Sequence, residues 1–185
     1  NVKRHASAIV AGHIVRVDNE EGYWHSPSNR KISSIEGAAI DIPYVSAGPG
    51  AISCLANQLN SMNVCTIVNK QGGWYFWGNR LTNGTMLPHQ RVRYIVGDSI
   101  VYAHFFAVDQ NITKNYVESV TGRVNAFLRR LVNREVISGG ACWADKELNI
   151  DAIGTGQVFF DYDLGFYDVA ERVTFRQHIN NTYNE

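Results

Sequence analysis

The longest regular hydrophobic pattern in the chain lies between residues 113 and 134. Apolar side chains recur there with a period of about 3.6 residues, which places them on one face of a helix. The pattern predicts an amphipathic helix whose apolar stripe packs against a sheet that includes residues 158–164. The stripe consists of Tyr116, Val117, Val120, Val124, Phe127, Leu128 and Leu131.

Three other stretches have helical character. Residues 7–17 are apolar on most sides and are long enough for a buried helix. Residues 49–62 and 100–108 carry apolar side chains at helical spacing. We therefore expect a helix in each of these stretches.

Strand-like patterns lie on both sides of a turn-rich stretch at Asn83-Gly84 and Pro88. Glycines at positions 72 and 73 join the first two of them into a predicted hairpin. Together, these patterns predict a mixed α/β (α+β) fold with packed helices, divided into residues 1–86 and 87–185. Strands are expected at residues 64–68, 74–77, 91–95, 141–143, 158–164 and 173–179.

Composition narrows the classes of protein to which the chain can belong. Its 185 residues are 45% hydrophobic and 18% charged, and 17 Lys and Arg balance 17 Asp and Glu. This composition is typical of a folded domain and disfavours a disordered or nucleic-acid-binding tail. No apolar stretch is long enough for a membrane span, and no signal peptide is apparent. We expect neither nucleic acid nor a membrane as a partner.

The residue types that commonly carry catalysis or bind metals show no typical spacing. Cys54, Cys65 and Cys142 are odd in number and unpaired in spacing, which favours free thiols and synthesis in the cytoplasm. The six histidines form no ligand pattern with each other or with these cysteines. Glycine-rich phosphate-binding motifs are also missing. We expect no metal, no cofactor and no catalytic residues.

Two features leave alternatives open. Asp161 and Asp163 share one face of a predicted strand. They could serve a small α/β ligand-binding or hydrolase domain together with a histidine, although a solvated strand face is the simpler interpretation. Arg123, Arg130 and Arg134, seven and four residues apart, flank the apolar stripe of the long predicted helix. This basic ridge could dock onto an acidic surface or could be an ordinary amphipathic border.

An ordered set of segments resembles the tail sheath proteins of contractile-tailed bacteriophages. No single segment is decisive, but their order is specific and spans nearly the whole chain. The segments are SAIVAGHI at residues 7–14, GYWHSPSN at 22–29, WGNRLT at 77–82, GGACWAD at 139–145, GQVFFDYD at 156–163 and AERVTF at 170–175.

The resemblance implies a structural protein that polymerises helically around a tail tube and contracts to drive that tube through the host envelope. Its implied partners are further copies of itself, the tail tube protein, and baseplate and tail terminator proteins. Its implied location is the virion tail, assembled in the host bacterial cytoplasm. Sheath proteins carry further domains ahead of this region and the chain begins with Asn1, so we expect a C-terminal portion.

The resemblance also implies two sets of interface residues. In such sheaths, a C-terminal strand joins the sheet of a neighbouring subunit, and a helix of the C-terminal domain contacts the tube. The tube-facing candidates are therefore Arg123, Arg130 and Arg134. The exchanged strand maps to residues 170–179, with Ala170, Val173, Phe175, Gln177 and Ile179 as its contact positions.

Overall fold

The computed structural model describes residues 3–33, 35–45, 54–180 and 182. Helices and two small antiparallel sheets confirm the predicted mixed α/β fold. The helices are α1 (Ala6–Glu20), α2 (Leu55–Ser61), α3 (Leu87–Ala103), α4 (Lys114–Asn133) and α5 (Lys146–Asp151), with a 3-10 turn at Phe105–Ala107. The strands are β1 (Arg30–Lys31), β2 (Thr66–Lys70), β3 (Gly73–Trp77), β4 (Cys142–Ala144) and β5 (Phe160–Tyr162).

The first sheet has the strand order β1-β3-β2 and contains the predicted hairpin. Gln71 and Gly72 form the turn between β2 and β3, and both have positive φ. This backbone matches the right-handed twist of a two-residue hairpin. One apolar cluster lies against the sheet and includes Val68 of β2 and Ala56 of α2. Of the helix predicted over residues 49–62, α2 confirms the later part, and residues 49–53 lie outside the described residues.

Helix α4 follows the prediction closely. Thr113 caps it, because its Oγ1 accepts a hydrogen bond from the Tyr116 amide at 3.1 Å. Its buried stripe faces the second apolar cluster, which also contains residues of α3 and of the segment after α4. Phe160 of β5 and the following Leu164 pack against this cluster. The buried residues of α4 are Val120, Val124, Leu128 and Leu131.

Two local predictions in the middle of the chain are wrong. Residues 91–95 form part of helix α3 rather than a strand. Pro88 lies in the first turn of that helix, where a missing amide proton is tolerated, and Val92 and Val96 are buried one turn apart. The helix expected at residues 100–108 is the end of α3 followed by the 3-10 turn.

The strand predicted at residues 173–179 is not formed within the single chain. Residues 166–180 carry no regular secondary structure. A strand needs backbone partners, and no described residue of this chain pairs with the segment. Its role in subunit exchange, at Ala170, Val173, Phe175, Gln177 and Ile179, stays a prediction.

Contacts cross the predicted division between residues 86 and 87. Arg91 of α3 forms an ion pair with Asp18 of α1. Tyr23 and Trp24, which follow α1, pack against the cluster built mainly from α3 and α4. The division into two parts stays a prediction.

Candidate subunit interface

Residues 168–180, near the end of the chain, are called the C-terminal arm below. Its apolar side chains are strongly exposed: Val173 is 66%, Phe175 92% and Ile179 90% accessible. In an extended strand these three odd-numbered residues would share one face, because strand side chains alternate. An uncovered apolar face of this kind is typical of a surface that is buried in an assembly.

The root of the arm is held in place by polar contacts. Arg80 Nε lies 3.2 and 3.1 Å from the two carboxylate oxygens of Glu171, and Arg80 Nη2 lies 2.8 Å from Oε2. Hydrogen bonding to Glu171, with its charge, raises the pKa of Arg80 above its usual range. Just before the arm, His89 Nε2 donates to the Tyr167 carbonyl at 2.9 Å, and its ring stacks on Phe166. The arm therefore leaves the molecule from a defined position.

The second sheet leaves one edge without a partner strand in the part of the chain that the structure describes. Strands β4 and β5 pair antiparallel, with Trp143 opposite Asp161. The Asp163 amide donates to the Ala141 carbonyl, so the odd-numbered residues of β5 face β4. The backbone groups of Phe160 and Tyr162 consequently point away from β4. Among the described residues, β5 pairs with β4 alone.

Two asparagine side chains form hydrogen bonds with backbone groups in and next to this sheet. Asn125 of α4 accepts a hydrogen bond from the Cys142 amide at 2.8 Å and donates to the Cys142 carbonyl at 2.9 Å. Asn149 of α5 makes the same pair of bonds to Phe159, at 2.7 and 2.9 Å. Sequence reasoning missed both residues. The available signal was an amide side chain beside the buried stripe of α4.

The basic ridge is partly engaged within the chain. The Arg123 guanidinium lies 4.2 Å from the ring centre of Phe106, and that of Arg134 lies 5.4 Å from Trp24. Cation–π contacts of this kind hold the side chains against the surface. Arg130 is exposed and forms no ion pair or ring contact with any described residue. Arg130 is therefore the ridge residue with the freest charge.

The groups considered for catalysis have structural partners. Asp163 Oδ1 accepts a hydrogen bond from the Ala141 amide at 2.6 Å. Burial raises the pKa of the Cys142 thiol, and the charge of Asp161 raises it further. Burial also raises the pKa of Cys65, whose Sγ donates to the Arg80 carbonyl at 3.3 Å. Thiols with raised pKa are poor nucleophiles at neutral pH.

Over residues 3–33, 35–45, 54–180 and 182, no group of three His, Cys, Asp or Glu side chains could hold a metal ion. In the same part of the chain, no helix has the length and apolar character needed to cross a membrane.

Comparison with known sequences found relatives over nearly the whole chain. Residues 91–180 match the family described as the phage tail sheath C-terminal domain. A putative prophage major tail sheath protein of Pseudomonas aeruginosa UCBPP-PA14 is 34% identical, over 98% of this chain and 47% of the relative. The tail sheath protein of Escherichia phage P2 is 28% identical, over 97% of this chain and 46% of that protein. The chain thus spans about half the length of these relatives.

The solved structures that share this fold include two contracted sheaths. The sheath complex of an extracellular contractile injection system, PVC, in its contracted state aligns with a TM-score of 0.82 and 20% identity. It covers 100% of this chain and 53% of that one. The contracted helical sheath of the anti-feeding prophage aligns with a TM-score of 0.79 and 17% identity, over 96% and 53%. At these identities, the likeness shows the fold alone.

Proposed function

Since the chain belongs to the phage tail sheath family, we propose that it is part of a structural subunit that polymerises around a tail tube and contracts to drive the tube through the host envelope. Two observations carry this proposal together: the exposed C-terminal arm, and a second sheet whose β5 edge has no partner strand among the described residues. An enzyme has no need of either feature. We accordingly propose a structural and non-catalytic role in the virion tail.

The proposed link between subunits is strand exchange. Residues 170–179 of one copy would add to the β5 edge of a neighbouring copy, where backbone hydrogen bonds supply affinity. The alternating side chains Val173, Phe175, Gln177 and Ile179 would face one side of the extended sheet and fix its register. Exchange would cover the apolar arm and satisfy the outward backbone groups of β5 at the same time.

The remaining partners are proposed from the family relationship. The basic ridge Arg123, Arg130 and Arg134 would face an acidic surface of the tail tube protein. Baseplate and tail terminator proteins would contact the two ends of the sheath, and assembly would take place in the cytoplasm of the host bacterium. Electrostatic docking of this kind fits a contact that must be released on contraction, since exposed ion pairs are individually weak.

Deleting the arm tests the proposal. Removing residues 169–185 should leave a folded protein that no longer assembles, because the arm contributes no side chain to either apolar cluster. Removing only residues 182–185 is the control and should preserve assembly. Circular dichroism would report the fold, and electron microscopy of concentrated protein would report tubes. Normal tubes from the longer truncation would contradict strand exchange by this segment.

A further inference from the structure

The two edges of the β4–β5 sheet differ in whether their outward backbone groups already have hydrogen-bond partners. No described residue pairs with the outer edge of β5, whereas the outer edge of β4 carries the Asn125 side chain. We propose that Asn125 closes the β4 edge, so that the C-terminal segment of a second copy can add only at β5. This inference rests on the strand exchange proposed at β5 and explains why the β4 edge would not accept the arm.

The Asn125 amide takes the place of a strand residue. A side-chain amide offers the same donor and acceptor as a peptide group. Asn125 directs both of them to a single residue, accepting from the Cys142 amide at 2.8 Å and donating to its carbonyl at 2.9 Å. These two bonds reproduce the exchange between directly opposed residues in an antiparallel ladder. At Cys142, the β4 edge is therefore already paired.

A strand could not easily displace this side chain. Cys142 is buried in the same cluster as Val124 and Leu128, the neighbours of Asn125 on α4. An added strand would have to break both Asn125 bonds and separate β4 from α4. Leaving a buried amide unpaired is itself unfavourable. At the β5 edge, the outward groups of Phe160 and Tyr162 would gain partners without losing any within the described chain.

Closure of one edge makes the link directional. Each copy would present one acceptor edge at β5 and one donor arm, and these are different surfaces. Used head to tail, contacts between different surfaces of identical subunits generate rings or open helical assemblies, whereas two copies that exchange arms reciprocally close a dimer. A sheet open on both edges would instead accept two arms and branch the network.

Amide hydrogen exchange measured by NMR would locate the acceptor edge. The sample is the 185-residue chain, kept dilute enough to be monomeric in sedimentation. The probe is an excess of synthetic peptide with the sequence of residues 168–180. We expect the peptide to slow exchange at the Phe160 and Tyr162 amides by about tenfold or more, as new hydrogen bonds protect them. The Cys142 amide should be slow without peptide and unchanged with it.

The variant Asn125→Leu removes the amide while keeping a similar shape. Exchange at Cys142 should then quicken by about tenfold without peptide, because its amide proton loses its acceptor. Added peptide should now slow exchange at Cys142 as well as at β5. Asn133→Leu is the matched control, since Asn133 is exposed at the end of the same helix. It should behave as the wild type.

The possible outcomes separate this inference from strand exchange itself. Peptide protection at Cys142 in the wild type, with release of the Asn125 side-chain amide, would overturn edge closure and leave strand exchange standing. Peptide binding without protection at either edge would overturn both. The wild-type measurement alone decides the acceptor edge, so the test does not depend on the folding of Asn125→Leu.

Discussion

Among the described residues, Leu128 is the largest fully buried side chain of the larger apolar cluster. It has no accessible surface and lies on α4 between residues of α3 and the second sheet. Leu128→Ala should lower the free energy of unfolding by roughly 2–5 kcal/mol through lost burial and the cavity left behind. Phe127→Ala should cost less, because Phe127 is only partly buried. Urea denaturation followed by circular dichroism would measure both.

Leu148→Ala serves as the control for this comparison. Leu148 is 47% accessible and belongs to neither cluster, so its truncation should change stability by less than about 1 kcal/mol. A larger effect for Phe127→Ala than for Leu128→Ala would show that the helix is rotated relative to the described packing.

The buried positions of α4 could be predicted from the sequence, whereas the contacts of Asn125 could not. The buried positions of α4 follow from a repeating pattern within one element, so Val124 and Leu128 could be assigned from spacing alone. The bonds of Asn125 join it to a residue 17 positions away. Such a contact depends on how α4 packs against β4, which no local pattern specifies.

Helix α4 presents the basic ridge, and Arg130 gives the cleanest test of its proposed role. Arg130→Glu should weaken binding to the tail tube protein, most clearly at low ionic strength, where exposed charges are least screened. Arg129→Glu changes the adjacent exposed arginine, which lies off the ridge, and should have a smaller effect. Sedimentation with assembled tubes at two salt concentrations would compare the variants. Equal loss in both would assign the effect to net charge instead.

Two kinds of element were predictable from sequence: a helix with a long hydrophobic repeat, and a hairpin whose turn is marked by glycines. Helix α4 repeats its apolar period over several turns, and the β2–β3 hairpin is marked by its glycines. Apolar and polar side chains alternate over only five residues at 91–95, which is too short a pattern to distinguish a strand from a helix. The segment is part of α3, where Val92 and Val96 are buried one turn apart. The pattern at residues 173–179 is that of a strand, but a strand forms only where another supplies its partner.

At the scale of the whole molecule, the Asp18–Arg91 ion pair joins α1 to α3. Both side chains are mostly buried, with 23% and 20% accessibility. Removing one partner leaves the other charge poorly solvated, which is destabilising. A double-mutant cycle with Asp18→Ala and Arg91→Ala should give a coupling energy of roughly 1–3 kcal/mol in denaturant unfolding.

The more exposed Glu21–Arg30 pair provides the comparison. Its cycle, with Glu21→Ala and Arg30→Ala, should give less than about 1 kcal/mol, as is typical of surface ion pairs. Equal coupling energies in the two cycles would mean that the pair between α1 and α3 adds nothing beyond a surface contact.

The sheath family was recognisable because segments typical of it occur in the family's order along both halves of the chain. The resemblance depended on that order rather than on any catalytic motif, and the match over residues 91–180 with relatives over nearly the full chain confirms it. The arrangement of the two halves could not be read in this way. It depends on contacts such as Asp18–Arg91, whose partners are far apart in sequence.

The fixed root of the C-terminal arm limits how far apart linked subunits can move. Arg80 holds Glu171, and the eight residue steps from there to Ile179 span at most roughly 26–29 Å when fully extended. In the proposed lattice, the part of a neighbour's acceptor strand that pairs with Ile179 must stay within that distance of Glu171 throughout contraction. Any movement beyond it must first pull Glu171 away from Arg80, a step that added salt would ease by screening this exposed pair. The length of the arm from Glu171 to Ile179, rather than the strength of its contacts, would then set the largest shift between neighbouring subunits.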